Sequence, residues 1–249
     1  MVQTLWKGYP LERDTFEGHT SVIVSPKEGT ANGLLAIKTD YWSAFPKAIE
    51  LPLLEAGFHL CYLENGNRWG TEDNIDRQAD FIRFVTERRH LQPGAVPVGM
   101  SCGGMIAILL AAKYPELVRC MYLDAPVLNF LSCPCGLGQG IALNQGDATK
   151  ELLDALGMDS VSQLLSYRKM PMDYLPQLVS HRIPAVLVAG DADEIAPFPE
   201  NGALLQAAYE EAGIPLMVRI KPGANHHPHG LKDPSEVFAF LMEHCGLTK

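Results

Sequence analysis

The sequence predicts an α/β fold, with a mostly parallel central sheet and helices on both of its faces. The chain has 249 residues, of which 47% are hydrophobic and 20% charged, as in ordinary globular proteins. Patterns typical of strands and of helices alternate along the chain, and this alternation produces a parallel sheet. No internal repeat, low-complexity tract or linker divides it, so we expect a single domain over residues 1–249.

Short apolar runs predict the strands, and the stretches between them predict the helices. In 74–89, for example, Ile75, Phe81 and Val85 fall on one helical face. Gly57 ends the helical pattern of 45–56. The predicted strands are 20–25, 33–39, 58–63, 96–99, 120–123, 184–189 and 216–220. The predicted helices are 45–56, 74–89, 104–113, 148–156, 200–212 and 234–244.

The segment 127–180 departs from this alternation. It is rich in loop residues, and residues 133–140 read CPCGLGQG. We expect an insertion or small cap here, placed where it could cover the carboxyl ends of the strands. In such sheets, catalytic residues lie just beyond those ends.

Charge and cysteine content exclude several classes of protein. The net charge is −9 and the basic residues are scattered, which argues against a nucleic-acid partner or an anionic membrane surface. No apolar run approaches 18 residues, and the first 20 residues are polar and broken, so neither a membrane span nor a targeting segment is expected. The six cysteines include no C-x-x-C pair, and a reducing, cytoplasmic location is expected.

A candidate nucleophile lies between a predicted strand and a predicted helix. Residues 99–103 read GMSCG, which fits G-x-S-x-G with Ser101 at the centre. This turn strains the serine backbone, and the flanking glycines let strand and helix approach closely enough to expose the hydroxyl. The pattern alone is also compatible with glycines that serve only close packing.

Two later strand ends supply the groups that a serine nucleophile needs. The strand 184–189 is followed by Asp191, Asp193 and Glu194, and the strand 216–220 is followed by three histidines: His226, His227 and His229. A histidine removes the serine proton, and a carboxylate orients the histidine and stabilises its charged form. The order Ser, Asp, His, each at a strand end, predicts a catalytic triad.

With these motifs the chain resembles the α/β-hydrolase superfamily along essentially its whole length. The resemblance implies the α/β-hydrolase fold, with the insertion after the sixth strand of the family's sheet, and it makes Ser101 the nucleophile. The family's G-x-x-D matches residues 190–193 and implies Asp193 as the acid, with Asp191 assigned to turn chemistry and Asp124 as an alternative acid.

The same resemblance assigns the base and one oxyanion donor. The family's G-x-G-H matches residues 223–226, read GANH, and implies His226 as the base. His227 and His229 are then supporting or surface residues, and the run HHPHGL resembles a subset of bacterial esterase-like hydrolases. The backbone N–H of Cys102 is the first expected oxyanion donor.

The second oxyanion donor is predicted in the loop after the strand 33–39. Tyr41 is our prediction, with Asp40 and Trp42 as alternatives, because this loop lacks the His-Gly of lipase-like members. Tyr41, Trp42 and Trp69 could line an acyl or leaving-group pocket or could be core aromatics.

The sequence thus predicts a serine hydrolase that cleaves short-acyl or carbohydrate-linked carboxylic esters, with a small-molecule substrate and no metal or other cofactor. Amidase, peptidase or thioesterase activity on the same triad is the alternative. A metallohydrolase using the three histidines and the acids at 191–194 is a further alternative, which leaves Ser101 unexplained. A ligand-binding receptor on the same fold is the non-enzymatic alternative.

Overall fold

Nine strands form one sheet in the computed structural model, which describes residues 4–247 of the chain. The strands are β1 (Leu5–Trp6), β2 (Tyr9–Phe16), β3 (His19–Val24), β4 (Leu35–Lys38), β5 (His59–Leu63), β6 (Ala95–Met100), β7 (Met121–Asp124), β8 (Ala185–Gly190) and β9 (Leu216–Lys221). Their order across the sheet is β1-β2-β3-β5-β4-β6-β7-β8-β9. The strands from β5 to β9 in this order are parallel, and the β1–β2, β2–β3 and β3–β5 pairs are antiparallel.

Helices cover both faces of the sheet, as predicted. They are α1 (Glu50–Glu55), α2 (Glu72–Arg88), α3 (Cys102–Lys113), α4 (Asp147–Leu156), α5 (Val161–Leu164), α6 (Leu175–Ser180), α7 (Gly202–Ala212) and α8 (Ser235–His244). One buried cluster joins α2, α3, α6 and α7 to one face, and a second joins α1 and α8 to the other. The predicted α/β fold class is therefore confirmed.

The central parallel strands are apolar on both sides because both sides are covered. Every residue of β4, β6, β7 and β8 is buried. Within β8, Ala185 and Leu187 belong to one core cluster, whereas Val186 and Val188 belong to the other. Continuous apolar runs are the pattern that such strands require.

The antiparallel hairpin of β1 and β2 precedes the first strand that the sequence predicts. In β2 only the first residues are buried, and charged side chains from Glu12 to Asp14 face solvent, so an apolar run is missing. Lys7 and Gly8 form the turn between β1 and β2, both with positive φ, and Glu17 and Gly18 form a similar turn before β3. Such two-residue turns are typical of β-hairpins, so the two X-Gly pairs were the sequence signal that could have predicted β1 and β2. With these additional strands, the insertion at 127–180 follows the seventh strand of the chain.

Helix α1 begins at Glu50, five residues later than the predicted start at 45. The preceding segment turns repeatedly, with positive φ at Tyr41, Ser43 and Phe45. Lys38, at the end of β4, forms a buried ion pair with Glu50 and also donates to the Ala44 carbonyl at 3.3 Å. These contacts hold the segment 39–49 against the carboxyl end of β4.

The segment 127–180 packs onto the sheet and contains α4, α5 and α6. Leu128, Phe130, Leu152 and Leu178 are fully or almost fully buried in the same cluster as α3. Its treatment as an insertion or small cap of a single domain stays a prediction.

Among the helices that the structure describes, none combines the length and the hydropathy that a membrane crossing requires. The cytoplasmic location stays a prediction.

Candidate active site

Ser101 occupies a strained turn between β6 and α3. Its backbone has φ 54° and ψ −121°, a conformation that costs of the order of 1–3 kcal/mol for a non-glycine residue. A side chain at Gly99 would meet the Gly103 carbonyl oxygen at 2.4 Å, so residue 99 must be glycine for strand and helix to approach this closely. The Ser101 N–H donates to the Asp124 carbonyl at 2.9 Å, which ties the turn to β7.

The imidazole of His226 lies between Ser101 and Asp193. Its Nε2 is 3.0 Å from Ser101 Oγ, and its Nδ1 is 2.8 Å from Asp193 Oδ2. Ser101 follows β6, Asp193 follows β8 and His226 follows β9, so three parallel strands, with β7 between β6 and β8, bring the residues together. All three are buried, with exposed fractions of 7% for Ser101, 6% for Asp193 and 5% for His226.

Backbone donors hold the second carboxylate oxygen of Asp193. Its Oδ1 accepts the N–H groups of Ile195 and Ala196, each at 2.8 Å. Burial raises the pKa of Asp193, but the hydrogen bond and charge interaction with His226 and the two backbone donors outweigh it and lower the pKa below its ordinary value. A carboxylate of this kind keeps the His226 Nδ1–H pointed at itself, which leaves the Nε2 lone pair for Ser101.

Asp191 and Asp124, the other acids considered, do not contact His226. Asp191 Oδ1 accepts the Gly223 N–H at 2.6 Å and so joins the loops after β8 and β9. Asp124, which is fully buried, lies 3.0 Å from His229 Nδ1 through its Oδ1, and its Oδ2 accepts the Gly230 N–H at 2.5 Å.

The pair of Asp124 and His229 is therefore a second carboxylate–imidazole pair, beside the pair of Asp193 and His226. Burial raises the pKa of Asp124, whereas the His229 hydrogen bond, Lys221 and the Gly230 N–H lower it, and the net shift is downward. His229, which the sequence predicts to be a supporting or surface residue, is thus buried in this second pair. The sequence signal that could have indicated this pair is the position of Asp124 at the end of β7, which is the neighbour of β8 in the sheet.

The first expected oxyanion donor lies at the start of α3. The N–H of Cys102 cannot reach an acceptor inside the helix because α3 begins at this residue. Its thiol is fully buried, and burial raises the pKa of Cys102 to about 11, so the thiol is neutral at physiological pH.

The predicted second donor, Tyr41, has a partner already. Its backbone N–H donates to Asp40 Oδ1 at 2.9 Å, in a residue with φ 55°. Trp42, one alternative, packs between Trp6 and Tyr62, with ring centroids 4.9 and 5.6 Å away. The role of Tyr41 as an oxyanion donor stays a prediction.

A cavity of about 300 Å³ opens beside Ser101 and His226. Tyr41 and Phe45 line one part of it, and Leu143 and Asn144 from the segment 127–180 line another. Arg68 also lines this cavity and, together with Tyr41, a neighbouring one of about 680 Å³. Trp69 lines the neighbouring cavity, whereas Trp42 lines neither, so the three aromatic residues do not share one pocket.

The three histidines lie close together, and each of the nearby acids already has a hydrogen-bond partner of its own. Nitrogens of His226, His227 and His229 lie within 4.8 Å of one another. Asp193 binds His226, Asp191 binds the Gly223 N–H, and the Glu194 carboxylate accepts from the side chain of Asn225. The structure therefore provides the imidazole cluster of the metallohydrolase alternative, but not the acids at 191–194 as additional ligands.

Comparisons with known proteins agree with this architecture. Residues 62–156 match a family model described as the alpha/beta hydrolase fold. No curated protein matches the chain.

Solved structures with the same fold share little sequence identity with this chain. A truncated form of a carbohydrate esterase from gut microbiota is 17% identical, with a TM-score of 0.71, and the match covers 98% of this chain and 99% of that one. A puromycin hydrolase mutant in complex with PGG is 15% identical, with a TM-score of 0.70 over 96% of this chain and 40% of that one. The dipeptidyl peptidase 4 of Porphyromonas gingivalis is 15% identical, with a TM-score of 0.69 over 96% and 35%.

The chain thus spans less than half the length of the last two proteins, and at these identities the likeness concerns the fold. The family model matches the region that contains the Ser101 turn, and the sheet, its crossovers and its two helical layers agree with it. The chain has the α/β-hydrolase fold, and the match over residues 62–156 supports its assignment to that superfamily.

Proposed function

We propose that this protein is a serine hydrolase that cleaves carboxylic esters through an acyl-enzyme on Ser101. The observation that carries the proposal is the hydrogen-bonded series from Ser101 Oγ through His226 to Asp193, with distances of 3.0 and 2.8 Å. The series is buried and ends at a cavity of about 300 Å³, the lower end of the size range for small-molecule pockets. A serine in this arrangement is a nucleophile and needs no metal for the reaction.

The reaction divides into two similar halves. Ser101 Oγ attacks the ester carbonyl carbon as His226 Nε2 accepts its proton, and the C–O bond to the alcohol breaks as His226 returns that proton to the leaving oxygen. Water then gives a proton to His226 and adds to the acyl carbon. Breakage of the bond to Ser101 releases the acid, and His226 returns the proton to Ser101.

Negative charge develops on the ester carbonyl oxygen during the reaction, and hydrogen-bond donors on the side of Cys102 are needed to stabilise it. The Cys102 N–H at the start of α3 supplies one, and the helix N-terminus adds favourable partial charge. We assign the second to the backbone of residues 39–42, with Tyr41 as the first choice. Its N–H would move from Asp40 Oδ1 to the oxyanion when substrate binds.

The neighbouring cavity favours an alcohol with several hydroxyl groups. Asp40 Oδ2 and Arg68 Nε are buried without a hydrogen-bond partner among the described residues, and both side chains line this cavity of about 680 Å³. Asn65 and Asn67 add polar groups, and Tyr62 adds an aromatic surface. Buried polar groups of this kind gain most from hydroxyl partners, so we propose a sugar or similar polyol as the alcohol portion of the ester.

The smaller cavity favours a short acyl group. It is bounded by the side chains of Phe45, Met100 and Ile195 around Ser101. The carbohydrate esterase that matches along its whole length supports this substrate class, by likeness of fold. Peptidase or thioesterase activity uses the same triad and is tested in the same experiment.

The experiment compares p-nitrophenyl acyl esters with acetylated sugars, a peptide and a thioester. We expect turnover of short-chain p-nitrophenyl esters and of acetylated sugars, and we expect Ser101→Ala to lower kcat/KM by at least about 10⁴-fold. We also expect Arg68→Gln to lower kcat/KM for the acetylated sugar more than for p-nitrophenyl acetate, whose leaving group has no sugar hydroxyls to bond with Arg68. Full activity of Ser101→Ala would refute the mechanism, and a preference for the peptide would refute the ester assignment.

A further inference from the structure

His226, His227 and His229 surround one small volume at the mouth of the candidate active site. Among residues 4–247, this is the one group of three metal-ligating side chains with nitrogens as close as 4.8 Å. We propose that the three imidazoles form a binding site for a divalent transition-metal ion such as Zn²⁺, which inhibits the enzyme reversibly because it occupies Nε2 of His226. The inhibition rests on the proposed function, whereas the metal binding does not.

The three rings are placed so that small rotations close a metal site. Their centroids are separated by 4.9 Å for His226 and His227, 5.0 Å for His226 and His229, and 4.8 Å for His227 and His229. With Zn–N bonds of about 2.0–2.1 Å, tetrahedral ligands lie about 3.3 Å apart, so the nitrogens must approach by at most about 1.5 Å. His227 is exposed, so its ring has the most room to turn, whereas the approach of the two buried rings depends on rotations of His226 and His229.

Two of the histidines already have the outer contacts that metal-bound imidazoles require. His226 Nδ1 is 2.8 Å from Asp193, and His229 Nδ1 is 3.0 Å from Asp124. A metal-binding histidine typically donates its other ring N–H to a carboxylate, which fixes the tautomer and leaves a basic nitrogen for the ion. Both Nε2 atoms therefore carry lone pairs, and that of His226 points at the Ser101 hydroxyl.

The surrounding charges permit a dication. The carboxylates of Asp193 and Asp124 lie directly behind the two buried imidazoles, while Lys221 is 3.6 Å from Asp124 and Arg68 lines the same cavity. The two negative groups balance these two positive ones. Three imidazoles select Zn²⁺, Cu²⁺ or Ni²⁺ over Mg²⁺ and Ca²⁺, which prefer oxygen ligands.

Occupation of His226 Nε2 has a direct chemical consequence. The lone pair bound to the metal cannot accept the Ser101 proton, so Ser101 Oγ is not activated and acylation stops. Removal of the ion restores the nitrogen, so a chelator should restore activity. The site is thus inhibitory, in contrast to the metallohydrolase alternative, in which the ion would be required.

The test measures zinc binding and inhibition separately. Isothermal titration calorimetry with ZnCl₂ is run on the wild-type protein and on the His227→Ala, His90→Asn and Ser101→Ala variants. Residual activity with and without zinc is compared within each active variant, so that changes in basal activity cancel. His90 is an exposed histidine with positive φ that lines no part of the cavity, and asparagine tolerates that backbone conformation.

We expect one zinc ion per chain, inhibition that EDTA reverses, and no inhibition by Mg²⁺. His227→Ala should raise the dissociation constant and the half-inhibitory concentration together by at least about tenfold, while His90→Asn changes neither. Ser101→Ala should bind zinc at least as tightly as the wild type, because Ser101 is not a ligand.

Three results would overturn the proposal. The first is the absence of saturable binding up to about 1 mM zinc, a concentration that corresponds to a weak site. The second is equal zinc affinity of the wild type and the His227→Ala variant. The third is saturable zinc binding that leaves the hydrolytic activity unchanged. If the protein hydrolyses none of the esters, the proposed function fails, but calorimetry still decides whether the three histidines bind zinc.

Discussion

The backbone of Ser101 is held in its strained conformation by hydrogen bonds at both of its peptide groups. Its N–H donates to the Asp124 carbonyl, and its carbonyl accepts from Gly104 at 3.0 Å and from Val127 at 3.2 Å. These bonds involve β7, the segment that follows it and α3, so three parts of the chain determine the position of one hydroxyl. Such strain is usually retained where a side chain must be presented for chemistry.

At the residue scale, we expect Asp193→Asn to lower kcat about 10⁴-fold at neutral pH. The amide N–H can donate a hydrogen bond to His226 Nδ1 and so stabilises the tautomer whose protonated Nε2 cannot accept from Ser101. Asp191→Asn is the matched control, because its remaining oxygen can still accept the Gly223 N–H. Steady-state kinetics and circular dichroism measure both variants, and equal losses in the two would refute the assignment of Asp193.

The pKa of Cys102 leads to a second prediction at this scale. Because burial raises its pKa to about 11, the thiol is protonated at pH 8, and iodoacetamide should neither label Cys102 nor inactivate the protein. Cys135, which is only partly buried, is expected to react first. Labelling becomes possible as the pH rises toward 11 or when the chain unfolds.

Mass spectrometry of alkylated peptides, with activity measured in parallel, tests this prediction. Rapid labelling of Cys102 at pH 8 with loss of activity would show that the thiol is reactive after all.

At the element scale, the loop after β9 lies directly against the end of β8. A side chain at Gly190 would meet the Ala224 carbonyl oxygen at 2.1 Å. The Ala192 N–H donates to this same carbonyl at 3.0 Å, and Asp191 binds the Gly223 N–H. The distance between Asp193 and His226 therefore depends on backbone contacts between two loops.

We therefore expect Gly190→Ala to displace the His226 loop and to lower kcat/KM at least about 100-fold, the effect of a misplacement near 1 Å. Gly213→Asn, after α7, is the control, because a side chain there enters open space and asparagine tolerates its positive φ of 60°. Kinetics and thermal unfolding of both variants measure the effect. Wild-type activity in Gly190→Ala would show that the loops can separate without moving the triad.

At the scale of the whole molecule, the sheet is covered on both faces, and its charged residues are mostly at the edges. The buried pair of Lys38 and Glu50 is an exception, with exposed fractions of 1% and 2%. It connects the centre of the sheet to α1, across the segment that contains Tyr41. A charge at this depth is tolerated only together with its partner.

We expect Lys38→Met to lower the free energy of unfolding by about 3–5 kcal/mol, because Glu50 would remain buried without compensation. The double variant Lys38→Met/Glu50→Leu should recover much of this loss. Arg219→Met, which breaks the exposed pair with Glu236, should cost less than about 1 kcal/mol. Urea unfolding measures all three, and a Lys38→Met loss no larger than that of Arg219→Met would contradict the prediction.

Local patterns explain how much of the fold could be predicted. The seven predicted strands correspond to β3 through β9 within two residues at each end, because apolar runs buried on both faces leave a continuous signal. The hairpin of β1 and β2 was missed since it lies at an edge and buries few side chains. The start of α1 was misplaced because the turns at Tyr41, Ser43 and Phe45 depend on contacts with Lys38 and its neighbours.

By itself, the sequence determined the α/β fold, the turn at Ser101 and the order of the candidate nucleophile, acid and base. Periodicity, glycine spacing and position after a strand are local properties, and they need no knowledge of which strands are neighbours. Tertiary structure alone decided that a second pair, Asp124 and His229, lies beside the pair of Asp193 and His226. Asp193 and Asp124 both follow parallel strands, but the sheet places Asp193 beside His226 and Asp124 beside His229. It also placed Asp40 and Arg68 around a second cavity, because residues distant along the chain meet only when the loops at the sheet's carboxyl edge pack together.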